Sequence, residues 1–371
     1  MKLLLVLSFL GAFWRPQGQP PYGVFANATT NAPVPYTAPS KTLFGPAGYC
    51  DAVAANGYSI TSGAPIDQDK LANLVDLGVG WVRFGPSTEQ IDGTHIFSPP
   101  SYAWETADAA QCETARFGIT SVVELDAGPV EYDATPMTFS PTLVTTYKTP
   151  ADFGTWCSAV ATHEAQTFGS TRFSLPGNEV NTNASLFPGG TAQIAAYSEA
   201  CYKAVKAAIP TAFVYGFELN MDGSKNAPGF VASMLALGCG PGTCYDGLAI
   251  HLTLQYPMPS AGAPCYPAKG GVYGVSCLKA LQTAAGASVH FIISETVYAV
   301  PSSVPDAATQ ALAVVAGMNA YKPYSSVDGV SYANIDECAL YVGTIFAGGC
   351  IVDTNQNRLP AYGALEAWAT P

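Results

Sequence analysis

The sequence predicts a single α/β domain, a (β/α)8 TIM barrel, on three observations. Short apolar runs alternate with helical patterns from about residue 43 to the C-terminus, eight such units are present, and no shift in composition marks a second domain. Strands that read as near-continuous apolar runs belong to a parallel sheet covered by helices. The competing arrangement, an open doubly wound sheet, would place a glycine-rich phosphate turn after its first strand. None is there, and Gly238-Cys239-Gly240-Pro241-Gly242 follows a predicted helix instead.

The first strand is expected around Leu43 to Cys50, and the helix after it carries Leu71, Leu74, Val75 and Leu77 at helical spacing until Gly78 ends it. Strand two is 80–86, helix two about 103–117, strand three 121–126 and helix three about 150–168. Arg172 to Leu175 is strand four, leading into Pro176-Gly177-Asn178-Glu179, and its helix runs from about 191 to 209 before Pro210. Strand five (213–219) and a helix near 228–237 precede strand six (248–254) and a Pro- and Gly-rich stretch, 257–271, that reads as a long functional loop. Helix six (276–285), strand seven (290–294), helix seven (306–321), strand eight (327–333) and a final helix (362–368) complete the pattern.

Lys2, the apolar run from Leu3 to Phe13 and the break at Arg15, Pro16 and Gly18 read as a secretory signal over 1–18, too short to span a bilayer. The barrel then occupies 19–371, with an irregular segment over about 19–42. A secreted protein, extracellular or periplasmic and without a membrane anchor after signal removal, agrees with ten cysteines, an even number. Three pairs close short loops: Cys239 with Cys244, Cys265 with Cys277, and Cys338 with Cys350. Cys157 with Cys201 and Cys50 with Cys112 are the expected remainder. Asn27-Ala28-Thr29 and Asn183-Ala184-Ser185 are glycan acceptor tripeptides in a eukaryotic host. A net charge of −12 disfavours nucleic acid and anionic membranes as partners. The four histidines are scattered and no paired C-x-x-C occurs, so neither a metal nor any other cofactor is expected.

In such a barrel the reactive side chains sit at the C-terminal ends of the strands. Two acids follow apolar runs there: Glu179 after strand four and Glu295 after strand seven, in Phe291-Ile292-Ile293-Ser294-Glu295-Thr296. Strands four and seven lie across an eight-stranded barrel, so the two carboxyls can face each other. Such a pair is the machinery of glycoside hydrolysis, one acid protonated for the leaving oxygen and the other ionised.

The Asn-Glu that ends strand four, with a Glu ending strand seven, resembles clan A of the retaining glycoside hydrolases over nearly the whole mature chain. The resemblance implies that Glu179 is the acid/base, Glu295 the nucleophile, and Asn178 a hydrogen-bond donor to the sugar hydroxyl beside the anomeric carbon. It places Arg83, in Trp81-Val82-Arg83-Phe84, near the nucleophile, where a guanidinium favours an ionised carboxyl. His251 and Tyr256, in His251-Leu252-Thr253-Leu254-Gln255-Tyr256, resemble the clan's His and Tyr on strand six, at wider spacing. Strand eight departs, with Tyr332, Asn334, Asp336 and Glu337 where the clan has a Trp. Ser294-Glu295-Thr296 and Gly177-Asn178-Glu179-Val180 are also similar to the endo-β-1,3-glucanases of the clan, although Val297-Tyr298 replaces their Gly-Trp. Glu124, Asp126 and Glu218 are further candidates for sugar hydroxyls or supporting roles, and Trp81, Trp104 and Tyr298 for stacking on sugar rings.

The expected activity is therefore secreted, retaining cleavage of β-linked glycosidic bonds in a polysaccharide or oligosaccharide through a glycosyl-enzyme ester. A transglycosidase using the same glutamates and a carbohydrate-binding barrel without turnover are the alternatives. No G-x-S-x-G elbow or P-loop is present to support other chemistry.

Overall fold

The computed structural model describes residues 12–13, 80–84, 104, 108, 111–112, 114–115, 118–125, 149–175, 179–182, 189–221, 226–252, 254–255, 276–296, 298–299, 307–321, 323–332 and 359–369. Ten strands fall within them: β1 Ala12–Phe13, β2 Trp81–Phe84, β3 Thr120–Glu124, β4 Arg172–Ser174, β5 Phe213–Asn220, β6 Gly247–His251, β7 Leu254–Gln255, β8 His290–Thr296, β9 Tyr298–Ala299 and β10 Val327–Tyr332. The helices are α1 Pro150–Phe168, α2 Gly190–Ala208, α3 Ala227–Ala236, α4 Ser276–Ala285, α5 Ala307–Tyr321 and α6 Pro360–Ala369.

Seven strands pair in parallel in the order β10-β8-β6-β5-β4-β3-β2, each neighbour joined by the crossover that a βαβ chain requires. The expected first strand, Leu43 to Cys50, and first helix lie outside the described residues. The place between β2 and β10 is held by β1, antiparallel to both: Ala12 lies opposite Val82 and Tyr332, and Phe13 opposite Trp81 and Ser331. The ring of strands is thus seven parallel and one antiparallel, where eight parallel strands are expected from the sequence.

The strands are apolar on both faces because each is covered by helices outside and by the opposite wall inside. All five residues of β6 are buried, as are Phe291 to Ser294 of β8. Helix α1 starts where the sequence provides a complete N-terminal signal. Thr149 Oγ1 accepts from Asp152 N, the Asp152 carboxylate accepts from Thr149 N, and Pro150 occupies the first turn. Gly169, left-handed at φ 70°, ends it. Helix α1 packs on α2, close enough that a Cβ on Gly154 would lie 3.1 Å from Ala200 O, and the Cys157–Cys201 disulfide locks the pair (Cα–Cα 5.4 Å). Cys239–Cys244 closes the turn between α3 and β6. Cys112 and Cys277 are also disulfide-bonded, while Cys50, Cys265, Cys338 and Cys350 lie outside the described residues.

The starts of the strands are closed by a polar plug. Tyr215 Oη donates to Asp328 Oδ2 (2.9 Å) across the interior and accepts from Arg172 Nη1 (3.2 Å), and His290 Nδ1 contacts Asp328 Oδ1 (2.7 Å). With that end filled, only the ends of the strands remain open for chemistry. No described helix is long and apolar enough to cross a membrane.

Candidate active site

Six ionisable side chains meet at the C-terminal ends of the strands: Arg83 (β2), Glu124 (β3), Glu179 (after β4), Glu218 (β5), His251 (β6) and Glu295 (β8). Arg83 is buried and forks onto Glu124, Nε to Oε2 at 3.1 Å and Nη2 to Oε1 at 3.0 Å. The same Nη2 lies 2.8 Å from Glu218 Oε2, and Nη1 lies 3.7 Å from Glu295 Oε2. His251 Nδ1 is 3.3 Å from Glu179 Oε1 and 3.5 Å from Glu295 Oε2, and its Nε2 faces Glu218 Oε2 at 3.5 Å. The four carboxyl groups and two cations grade from inside to outside. Glu124 and Glu218 are sealed, whereas Glu179 and Glu295 keep 29% and 20% of their side-chain surface open.

Local structure explains how these side chains converge. Glu179 has a left-handed backbone, φ 57°, which costs a residue other than glycine about 1–2 kcal/mol. The turn is held by Thr182, whose N–H and hydroxyl both donate to Glu179 O. Asn181 pins it to the end of β5, donating to Asn220 O and accepting from Asn220 N, each at 2.8 Å. Glu295 is flanked by Ser294 and Thr296, whose hydroxyls donate to Ile250 O of β6 and to Leu252 O just after it. Strand β6 stops at His251, three residues short of its expected end, because the register against β8 slips between Ile250 and His251. The chain then pairs again as β7 with β9, Leu254 opposite Tyr298.

Glu218 reaches the interior by a different device. Tyr215 points inward, so unbroken alternation would send Glu218 outward. The β5–β6 register slips between Gly216 and Glu218, and Phe217 takes φ 46°. Phe217 packs outward on Phe230 and Tyr245, and the bulge turns Glu218 into the barrel. Its Oε1 there accepts from Ser174 Oγ at 3.4 Å.

Charge and burial compete at every group. Burial opposes the His251 imidazolium, but the Glu295 carboxylate and contacts with Glu179 and Glu218 outweigh it and raise the ring to about 10. Burial pushes Glu179 up, yet the hydrogen bond and charge of His251, helped by Asn220, hold its carboxyl below the usual range. Glu218 is likewise pushed up by burial and brought below its ordinary value by Arg83 and His251. Arg83 is opposed by burial and held still more firmly protonated by Glu124, Glu218 and Glu295.

Of the residues expected from the sequence, Arg83, Glu179, His251 and Glu295 come together. Asn178, Tyr256 and Asp126 lie outside the described residues, and Tyr298 is placed by its backbone alone. Glu124 and Glu218 are buried and pair with Arg83, so they offer no surface to a sugar. Two aromatic candidates are also corrected: Trp81 is buried in the core, and Trp104 stacks on His163 of α1 in the helical layer (centroids 3.9 Å, planes 5° apart). The 890 Å³ groove beside Trp104 is lined by α1 and α2, on the outside of the barrel. No group of side chains suited to a metal ion occurs among the described residues.

No protein-family model and no curated protein matches the chain. Solved structures do. A family 39 glycoside hydrolase from Bacteroides cellulosilyticus WH2 superposes with a TM-score of 0.59 at 15% identity, over 82% of this chain and 60% of that one. A monomeric β-xylosidase from Caulobacter crescentus CB15 gives 0.57 at 17% identity, over 81% and 64%. A psychrophilic family 10 endo-β-1,4-xylanase gives 0.54 at 12% identity, over 81% and 92%. The chain thus spans under two thirds of the length of the first two. Families 39 and 10 both belong to clan A, and the fold of this chain is that of their TIM-barrel glycoside hydrolases.

Proposed function

We propose that the protein is a secreted retaining glycoside hydrolase acting on β-linked sugars, with Glu295 as nucleophile and Glu179 as acid/base. The observation that carries this reading is the contact of Glu179 Oε1 and Glu295 Oε2 with one ring nitrogen, His251 Nδ1, at 3.3 and 3.5 Å. Two oxygens so placed are no more than about 7 Å apart, which admits the ~5–5.5 Å of a retaining pair. They are also the two acids of the cluster that remain open to solvent. Glu295 is faced by both cations, as suits the group that must attack as a carboxylate.

Glu295 attacks the anomeric carbon while Glu179 protonates the leaving oxygen, giving a glycosyl ester. Water then gives its proton to Glu179 as its oxygen displaces Glu295, so configuration is retained. Asn178, Tyr256 and Tyr298 complete the sugar site in this reading. Xylans and aryl xylosides are the first substrates to try, because xylosidases and xylanases are among the similar folds; β-glucans and β-mannans follow.

The test is a pair of variants. Glu295→Ala should lose turnover by at least about 10⁴-fold, whereas Glu179→Ala should keep the first step on substrates with an activated leaving group. Azide should restore the second variant and yield a β-glycosyl azide. An inverted first-formed product, or near-normal activity of both variants on an unactivated glycan, would contradict the assignment.

A further inference from the structure

The mechanism above needs Glu179 protonated while Glu295 is ionised, yet Glu179, like Glu295, is in contact with the His251 cation. We propose that the catalytic proton rests on His251 Nδ1 and is lent from there to Glu179, and that buried Glu218 is the positioning residue that keeps it on the ring. The inference rests on the roles given to Glu179 and Glu295.

Glu218 has no exposed surface, so no sugar touches it. Arg83 does not need it either: Glu124 already takes the guanidinium fork through two hydrogen bonds and balances its charge. The second buried carboxylate supplies a negative charge beyond the one that Arg83 needs: its Oε2 lies 2.8 Å from Arg83 Nη2 and also 3.5 Å from His251 Nε2, the second cation of the cluster. The strained bulge at Phe217 is what delivers it. Among the described residues the charged groups facing His251 are Glu179 from the turn after β4, Glu218 from β5 and Glu295 from β8, with Arg83 of β2 behind Glu218. Carboxylates at both ring nitrogens favour the imidazolium, in accord with the rise of His251 to about 10.

The cycle balances. A sugar covering Glu179 removes water from it and makes its carboxylate a stronger base, so the Nδ1 proton crosses the 3.3 Å to Oε1. The ring is then neutral. Glu179 passes that proton to the leaving oxygen as the bond from the anomeric carbon to that oxygen breaks and the bond to Glu295 forms. In the second half water gives a proton to Glu179 and its oxygen displaces Glu295. When product leaves, the proton returns to Nδ1, with one water consumed and no net proton taken up.

The test has two arms on the intact protein. In the first, ¹⁵N shifts of the imidazole nitrogens are followed from pH 5 to 10, with His251→Gln identifying the signals. His251 should stay an imidazolium beyond pH 8, and Glu218→Gln should lower its midpoint by at least about one unit. In the second, kcat is compared for aryl glycosides with poor and good leaving groups. Glu218→Gln should lose at least about tenfold more kcat on the poor leaving group than on the good one, with KM little changed. An ordinary midpoint near 6.5 in the parent protein, an unmoved midpoint in the variant, or a loss equal for both leaving groups would overturn the proposal. Should Glu218→Gln not fold, the parent titration still decides, and Glu218→Asp keeps the charge while withdrawing it from Nε2, so it should give the same signs at smaller size. A parent protein that turns over no glycoside removes the underlying reading as well; turnover with an ordinary titration overturns the proton-store proposal alone.

Discussion

At the scale of single residues the site is a problem in buried charge. Arg83 serves Glu124 and Glu218, both without access to water, so Arg83→Met would take the guanidinium from both. Breaking a buried pair in that way costs about 3–5 kcal/mol, and chemical denaturation should show a loss of that size together with loss of turnover. Glu124→Gln keeps one acceptor for the guanidinium, sets its NH2 against a second donor, and leaves Arg83 paired with Glu218, so it should cost less than Arg83→Met. The acids at positions 179 and 295 and the arginine at 83 were legible in the sequence because each sits at the end of a short apolar run, where a barrel exposes its chemistry. Glu218 was not legible as a partner of His251. Its apparent parity with Tyr215 places it on the opposite face, and only the slip at Phe217 reverses that. Nor could a pattern tell Trp81, which is core, from a sugar platform, since both uses call for the same side chain.

At the scale of elements, bulges and caps set where the side chains go. Gly216 lies beside the bulge, and a Cβ there would meet the Tyr245 ring at 2.8 Å. Gly216→Ala should therefore destabilise by about 1–3 kcal/mol and, by shifting β5, lower activity more than its thermal midpoint suggests. Thr149→Ala removes one half of the cap of α1 and should cost about 1 kcal/mol without touching kcat. The helices were legible to within one or two residues at 150–168, 190–208, 227–236 and 276–285 because Pro, Asn and Gly mark their ends by a local mechanism. Strand ends carry no such signal. The stop of β6 at His251 is set by its register on β8, a contact between residues more than 40 positions apart that no window of sequence contains.

At the scale of the whole molecule, stability and pH are linked through groups both within the site and far from it. Glu164 is buried beside Asp108, accepts from Gln111 Nε2 at 2.7 Å, and is raised by burial to about 8. An acid raised on folding stabilises fully below its unfolded value and loses that contribution as pH climbs through the folded one. Stability should therefore decline between about pH 4.5 and 8, by on the order of 5 kcal/mol from this group, and Glu164→Gln should flatten the decline. Glu179 and Glu218, lowered on folding, act in the opposite sense: their contribution is present above the ordinary carboxylate range and lost as pH falls through their folded values. The Cys157–Cys201 bridge spans 44 residues, and by chain entropy its loss should cost about 4 kcal/mol, read as a lower denaturation midpoint under reductant. The barrel itself was legible because alternation of strand and helix repeats over the chain, whereas the strand that fills the place between β2 and β10 was not, since any short apolar segment satisfies that edge. A nucleophilic Glu295 bonds to the sugar during turnover. The direct test is to treat the protein with a 2-fluoro aryl glycoside whose leaving group is activated, then digest it and locate the adduct by mass spectrometry. The account predicts a single glycosyl ester on the peptide carrying Glu295, absent from Glu295→Ala; an adduct on Glu179, or turnover with no trapped ester at all, would contradict it.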